Sequence, residues 1–485
     1  MEKNKIKSNS AIIGLFWSFT ELVSKQGISI LIQIVLARLL LPEHFGLIGM
    51  ITIFVAISTS LVQSGLDQAL IREKEVGQQD YSTVFYFNLV VAVFIYLIIF
   101  FTAPIIALFY GESELVLILR VLMLVIIINS MSVIQRVILV RNIDFKAQTK
   151  ITVISNITSG IIAVLLAFLG AGVWSLVSQQ LVAQTLTMLL LLLTNRWIPS
   201  FTFNTILFKR YFNFGYKLLL ASLINVIQKN IYHVVIGKVF PTTQLGYYTN
   251  AAKLREISAQ SLSQALQRVT YPVLSRNKDN ISQLSKQYER LIRSTGFIHF
   301  PLITLLAVTS PIFIPLLLGG ERWEPVVPFF QLLCIIGALY PIQSLNLNVL
   351  NVIGRTDIFL ILSLIKVSIH FSLLGIGIYN DFSIEGLIVI AIVNSYIALL
   401  IHCYVTSRYI NYTFIRQLFH LGKLLLSVVI LYIIVNTLSG YLVFNPFINL
   451  AIQIISGLLV YILLSIIMNN WELKSAISLI NSRKN

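Results

Sequence analysis

The sequence predicts an all-α polytopic membrane protein of about fourteen transmembrane helices, arranged as two parallel-repeat six-helix bundles plus two C-terminal helices. Three observations lead there. Of the 485 residues, 57% are hydrophobic and only 11% charged, whereas a soluble domain carries about 25% charged residues. Apolar runs of about 20 residues or more, long enough to cross the hydrocarbon core, recur along the whole chain. Short segments about 200 residues apart also resemble each other in order.

The chain opens with a basic stretch, MEKNKIKSNS, and its first apolar run continues past Glu21 and Lys25 to about Ala37. It lacks a small-residue cleavage site, so it reads as an uncleaved first span. Windows of spanning length fall near 11–37, 45–70, 82–109, 115–138, 149–169, 173–194, 213–238, 246–272, 289–317, 326–352, 357–378, 384–409, 415–437 and 444–468. The loops between them are short, with no soluble domain and no large extramembrane loop.

Direction follows from the basic residues in alternate loops. One set of loops and termini carries twenty-one Lys and Arg, among them Lys3, Arg72, Arg141, Lys209, Arg290, Arg408 and Lys484, and the other carries Arg38, Lys238 and Arg322. Both termini are therefore expected on the cytoplasmic side of the cytoplasmic (inner) membrane. This asymmetry accounts for most of the net charge of +16, so no nucleic-acid partner is needed. Cys334 and Cys403 sit in apolar runs, and the six histidines are scattered. Neither set has metal-ligand or catalytic spacing, and no cofactor or metal is expected.

The repeat rests on two pairs of segments. IVLARLLLPEHFGLIG (34–49) matches VIGKVFPTTQLGYYTN (235–250), and in each a basic residue precedes a glycine by eight, Arg38 to Gly46 and Lys238 to Gly246. QALIR (68–72) pairs with QALQR (264–268). These matches divide the chain into an N-terminal bundle 1–200, a C-terminal bundle 201–412, and helices 13 and 14 with a cytoplasmic tail over 413–485. LLPEHFG itself reads as a turn, with Pro and Gly ending one helix and starting the next.

Within that register, Lys25, Ser29 and Gln33 align with Asn225, Lys229 and His233. Both triplets are spaced i, i+4, i+8, which stacks them on one helix face, and Glu21 extends the first stripe by a turn. The eighth span adds Lys253, Glu256, Gln260, Ser263 and Gln267, the second adds Gln63 and Asp67, and the eleventh adds Lys366 and His370. A lysine at the centre of a membrane helix costs roughly 2.5–3.5 kcal/mol on insertion scales, so such residues are expected to face a hydrated cavity. Lys25, Lys229, Lys253, Arg255 and Lys366 form the candidate cationic site. Glu21, Asp67, Glu256 and His233 are candidates for ion coupling. Glu21 and Lys25 are equally readable as an ion pair within one helix, and His233 as a hydrogen bond to a neighbouring helix. Pro301, Pro311 and Pro315 allow bending or only a static kink.

LARLLLPEHFGLIGM (36–50), YSTVFYFNLVV (81–91), LGYYTNAAKL (245–254) and QRVTYPVLS (267–275) resemble Wzx-type polysaccharide flippases of the multidrug/oligosaccharidyl-lipid/polysaccharide exporter superfamily. The resemblance covers essentially the whole chain. It implies a polyprenyl-pyrophosphate-linked oligosaccharide as cargo, carried between leaflets by alternating access for surface polysaccharide such as O-antigen, capsule or exopolysaccharide. Membrane lipid and the polysaccharide polymerase machinery are the implied partners. In the related lipid II flippases a basic residue precedes an LPSLS-like end of helix eight; YPVLS (271–275) is similar to that end, and Lys253 stands in the basic position. Two other classes compete. A multidrug exporter of the same superfamily calls for an acidic cavity, against the cationic balance found here. A membrane polymerase or ligase calls for a long extracytoplasmic loop, which is missing.

Overall fold

The computed structural model describes the backbone of residues 2–63, 65–275, 277, 280–468 and 472–473, and the side chains of these except 2–15, 259–269, 271–273, 356 and 360. Helix dominates throughout, and there is no strand among the described residues. The order is α1 (Glu2–Leu39), α2 (Pro42–Gln63), α3 (Leu66–Arg72), α4 (Gln78–Tyr110), α5 (Leu115–Leu122), α6 (Leu124–Arg141), α7 (Phe145–Phe168) and α8 (Val173–Asn195). It continues with α9 (Thr205–Val239), α10 (Thr242–Ser275), α11 (Ile281–Leu318), α12 (Val326–Val352), α13 (Thr356–Tyr379), α14 (Ile384–Ser407), α15 (Phe414–Ser439) and α16 (Pro446–Ile467).

Local chemistry sets several boundaries. Asp144 accepts from the Ala147 N–H at 3.0 Å to start α7, and Asn204 accepts from Ile206 and Leu207 at 2.9 and 3.2 Å to start α9. Asn280, Ser383 and Asn445 cap α11, α14 and α16 in the same way. Each such cap satisfies a backbone donor that has no partner inside the helix. Pro42 and Pro446 occupy first-turn positions, where proline has no hydrogen bond to lose.

Thirteen stretches of helix among the described residues are long and apolar enough to span a membrane. The second, Pro42–Arg72, joins α2 and α3; the fourth, Leu115–Arg141, joins α5 and α6. The sequence alone reads both as unbroken. Gly65 sits at the first break with φ +67, and a Cβ there would lie 2.8 Å from the Gly215 carbonyl oxygen, so glycine is needed for both backbone shape and close approach. The remaining expected span, near 246–272, is α10. It is helical, yet it is the most polar of the long helices and is absent from the thirteen.

Packing divides the chain into Met1–Thr249 and Asn250–Asn485. In the first unit α7 packs on α1 and α8, α6 on α8, and α9 along α2. That last contact carries the unit past the repeat boundary expected near residue 200, which concerns sequence relationship rather than packing. In the second unit α12 packs on α11 and α14, α13 on α14, and α15 on α11 and α16. Leu66, Leu70, Phe85 and Ile134 sit in the core of the first unit, and Tyr288, Phe300, Tyr412 and Leu431 in that of the second. Large apolar side chains on outer faces are highly exposed, Leu108 at 82% and Phe101 at 71%, as lipid-facing surfaces require.

One contact within the first unit is reciprocal under the 200-residue shift. A Cβ on Gly46 would run into the Thr242 carbonyl, and a Cβ on Gly246 into the Pro42 carbonyl. The starts of α2 and α10 thus approach closely enough to exclude any side chain at either position. The break between α1 and α2 falls at Leu40 and Leu41, inside LLPEHFG as the sequence suggests, while PEHFG forms the first turn of α2 and Gly46 lies within that helix rather than at its end.

Candidate functional site

In the first unit, polar and charged residues from four helices meet in a cavity of about 190 Å³. α1 contributes Glu21 and Lys25, α6 contributes Arg136, α7 contributes Gln148, Thr152 and Asn156, and α8 contributes Gln184 and Thr187. Glu21 accepts a hydrogen bond from Thr152 at 3.1 Å and one from Gln148 at 3.4 Å. It is therefore held by α7, and not only through its position one turn from Lys25. Gln184 donates to Asn129 at 3.0 Å. The Gln148 Oε1 is buried and has no hydrogen-bond partner among the described residues, which leaves an acceptor for an incoming donor.

Arg136 was not a candidate from sequence. It lines this cavity and lies within the electrostatic reach of both Glu21 and Asp67. Asp67, in the first turn of α3, is thereby tied to the site through Arg136. The stripe Gln148, Thr152, Asn156 has the same i, i+4, i+8 spacing as Lys25, Ser29, Gln33. The periodicity that marked α1 was thus available on α7 as well.

Lys229 and His233 lie elsewhere on α9 and do not line that cavity. Lys229 is exposed, while His233 is half-buried with its ring 5.3 Å from that of Tyr248. Ser222, one turn before Asn225, bonds Ser60 of α2 at 2.8 Å.

In the second unit, Lys366 and His370, four apart on α13, enter a buried polar network. Lys366 donates to Gln343 of α12 at 3.2 Å, and Gln343 donates to the carbonyl and the hydroxyl of Ser395, both at 2.8 Å. His370 pairs with Asn394 at 3.1 Å. Three helices thus share the cost of keeping one ammonium group among apolar side chains. On α10, Lys253 lies in the field of Glu256. The Arg255 Nε is buried near Cys334 with no hydrogen-bond partner among the described residues. Gln260, Ser263 and Gln267 lie outside the described side chains. No group of three metal-ligating side chains occurs among the described residues.

Long apolar helices with ammonium, guanidinium and carboxylate groups inside them define a polytopic membrane protein, and its fold is shared by a lipid II flippase and by multidrug transporters of the MATE family. A lipid II flippase, MurJ, in an inward closed conformation, superimposes with a TM-score of 0.72 at 16% identity, covering 95% of this chain and 99% of that one. An inward-facing MATE-family multidrug transporter gives 0.59 at 15% identity, over 84% of this chain and 95% of its own. The chain belongs to the polysaccharide biosynthesis protein family, whose model matches residues 35–328. It is similar to the teichuronic acid biosynthesis protein TuaB of Bacillus subtilis (strain 168), 27% identical over 309 residues, spanning 63% of each chain. It is also similar to the lipopolysaccharide biosynthesis protein WzxC of Escherichia coli (strain K12), 24% identical over 373 residues, 76% of this chain and 75% of that relative.

Proposed function

We propose that the protein carries polyprenyl-pyrophosphate-linked oligosaccharide repeat units across the cytoplasmic membrane by alternating access, for the assembly of a surface polysaccharide. The observation that carries this reading is the sign of the charge held inside the spanning helices. Lys25, Arg136, Lys229, Lys253, Arg255 and Lys366 stand against Glu21, Asp67 and Glu256. A pyrophosphate moving through hydrocarbon loses its hydration, and a cationic excess offsets that loss. Lysine ammonium groups suit a moving phosphate because they act as point charges on flexible stems.

In this reading Lys25, Arg136 and Lys229 of the first unit and Lys253, Arg255 and Lys366 of the second are the groups that bind the head group. Glu21, Asp67, Glu256 and His233 are the groups through which a driving ion would act. Both termini are cytoplasmic in this reading, which the distribution of basic residues over the loops supports, and the polymerase machinery receives the delivered unit. The names of TuaB and WzxC support the polysaccharide context, and the MurJ fold supports a lipid-linked cargo.

The test is binding of a polyprenyl-pyrophosphate oligosaccharide to the purified full chain in lipid nanodiscs. Wild type binds, whereas Lys25→Gln and Lys253→Gln bind more weakly, each by a factor of ten or more if the lost contact is a charge-assisted hydrogen bond to phosphate. Preference for cationic dyes over the pyrophosphate lipid would replace this reading with that of a multidrug exporter.

A further inference from the structure

A second cluster of charge, built from none of the residues assigned above, lies in the second unit where α11 and α15 begin, beside Glu472 beyond the end of α16. On α11, Lys286, Arg290 and Arg293 are spaced i, i+4, i+7 and share one face. On α15, Arg416, His420 and Lys423 repeat the same spacing. The two faces converge on Glu289, which lies 3.5 Å from Arg293, 3.1 Å from Arg416 and 3.8 Å from His420. Arg293 reaches beyond it to the buried carboxylate of Glu472, at 2.5 Å. The ion pairs hold the walls of the cluster in place.

Two adjoining hollows open there. One, of about 200 Å³, is bordered by Lys286, Glu289, Arg290 and Arg293. The other, of about 90 Å³, is bordered by Arg293, Phe419, His420, Lys423 and Glu472. Lys286, Arg290, Arg293 and Lys423 face Glu289 and Glu472 across the pair of hollows, an excess of two positive charges before His420 and the adjoining Arg416 are counted. Lys286 and Arg290 are exposed. Directly beside the basic face of α15 runs an outward apolar ridge, with Ile415 78%, Phe419 69% and Leu426 53% exposed. A cationic hollow continuous with an apolar ridge is complementary to a phosphate joined to hydrocarbon, and a soluble anion would use only half of it.

We propose that this notch binds the phosphate head group of an anionic phospholipid of the surrounding leaflet, with its acyl chains lying along Ile415, Phe419 and Leu426. Basic pockets between membrane helices commonly hold such head groups. The site shares no residue with those proposed to meet the cargo. By bridging α11, α15 and Glu472, a bound lipid reinforces the packing of α15 on α11.

The experiment uses the purified full chain and follows retention of phosphatidylglycerol against phosphatidylcholine by native mass spectrometry. Inorganic pyrophosphate serves as the soluble competitor. Wild type retains phosphatidylglycerol selectively. The double variant Lys286→Gln/Arg290→Gln loses affinity about thirtyfold, from about fivefold per removed charge. These two positions are exposed, so the variant folds, and an unchanged melting temperature in phosphatidylcholine checks this. Lys146→Gln/Lys150→Gln, two exposed basic residues at the start of α7, leaves retention unchanged. Equal retention of the two lipids, or wild-type retention by Lys286→Gln/Arg290→Gln, overturns the proposal. Displacement of phosphatidylglycerol by millimolar pyrophosphate also overturns it, because the notch would then be a site for soluble or cargo phosphate. None of these outcomes bears on whether the cavity on α1, α6, α7 and α8 binds cargo.

Discussion

Replacing Gly46 or Gly246 by alanine tests the close approach of α2 and α10. In an ordinary helix this substitution stabilises by about 0.5–1 kcal/mol, because alanine loses less backbone entropy on folding. Here the added carbon would lie 2.9 Å from the Thr242 carbonyl carbon in one case and 2.6 Å from the Pro42 carbonyl carbon in the other, and nearer still to the oxygens. Favourable carbon–carbon separation is about 3.5–4.0 Å, so the helix starts must part by about 1 Å. The obstacle is backbone and cannot rotate away. Overpacking of this kind costs about 1–3 kcal/mol, leaving a net loss of about 1–2 kcal/mol for each variant. Both clashes sit in one contact, so the double variant loses less than the sum of the two. Gly27→Ala and Gly375→Ala serve as controls, since nothing lies within 4 Å of a Cβ at either position. Scanning fluorimetry of the purified protein reads the comparison. Gly46→Ala and Gly246→Ala melting with the controls, or a strictly additive double variant, would refute the reciprocal contact.

Further expectations concern single groups. Gln343→Leu removes the acceptor of Lys366 and leaves an ammonium in an apolar setting, so it destabilises the second unit by about 3 kcal/mol or more, while Gln343→Leu/Lys366→Met recovers most of the loss; chemical unfolding of the two variants reads the difference. Asn204→Ala removes the side-chain cap of α9 and lowers stability by about 1 kcal/mol, measurable as a small drop in melting temperature. Tyr288→Phe deletes the hydroxyl that donates to Asn346 at 2.7 Å. Thr406 still donates to the same oxygen at 2.8 Å, so the loss stays near 1 kcal/mol in the same assay. Arg136→Gln removes the cation shared by Glu21 and Asp67, and it shifts the pH profile of transport in vesicles, whereas Arg136→Lys keeps the wild-type profile.

The spanning helices were legible because a bilayer sets a length and demands apolar residues over all of it. The interruptions were not. Gly65 breaks α2 from α3 through a left-handed backbone and a close approach to Gly215, and no run of hydropathy registers either. Lys366 and His370 were legible as an i, i+4 pair on one face. Their partners Gln343 and Asn394 come from α12 and α14, so only the tertiary fold names them. Gly46 and Gly246 stood out as a repeated motif, but their task is to exclude a side chain from a helix contact, and spacing carries no trace of that. Arg136 was missed for a simpler reason. Near the end of its span it resembles a membrane-interface anchor, and only the convergence of α1, α6, α7 and α8 shows it lining a cavity.

The central claim is that this chain moves a pyrophosphate-linked sugar lipid by means of cations inside its helices. The most direct measurement is the leaflet distribution of lipid-linked oligosaccharide in cells depleted of the protein, complemented with wild type or with Lys253→Ala. The account predicts accumulation on the cytoplasmic face that wild type relieves and the variant does not. An unchanged distribution on depletion, accompanied by new sensitivity to cationic dyes, would contradict it.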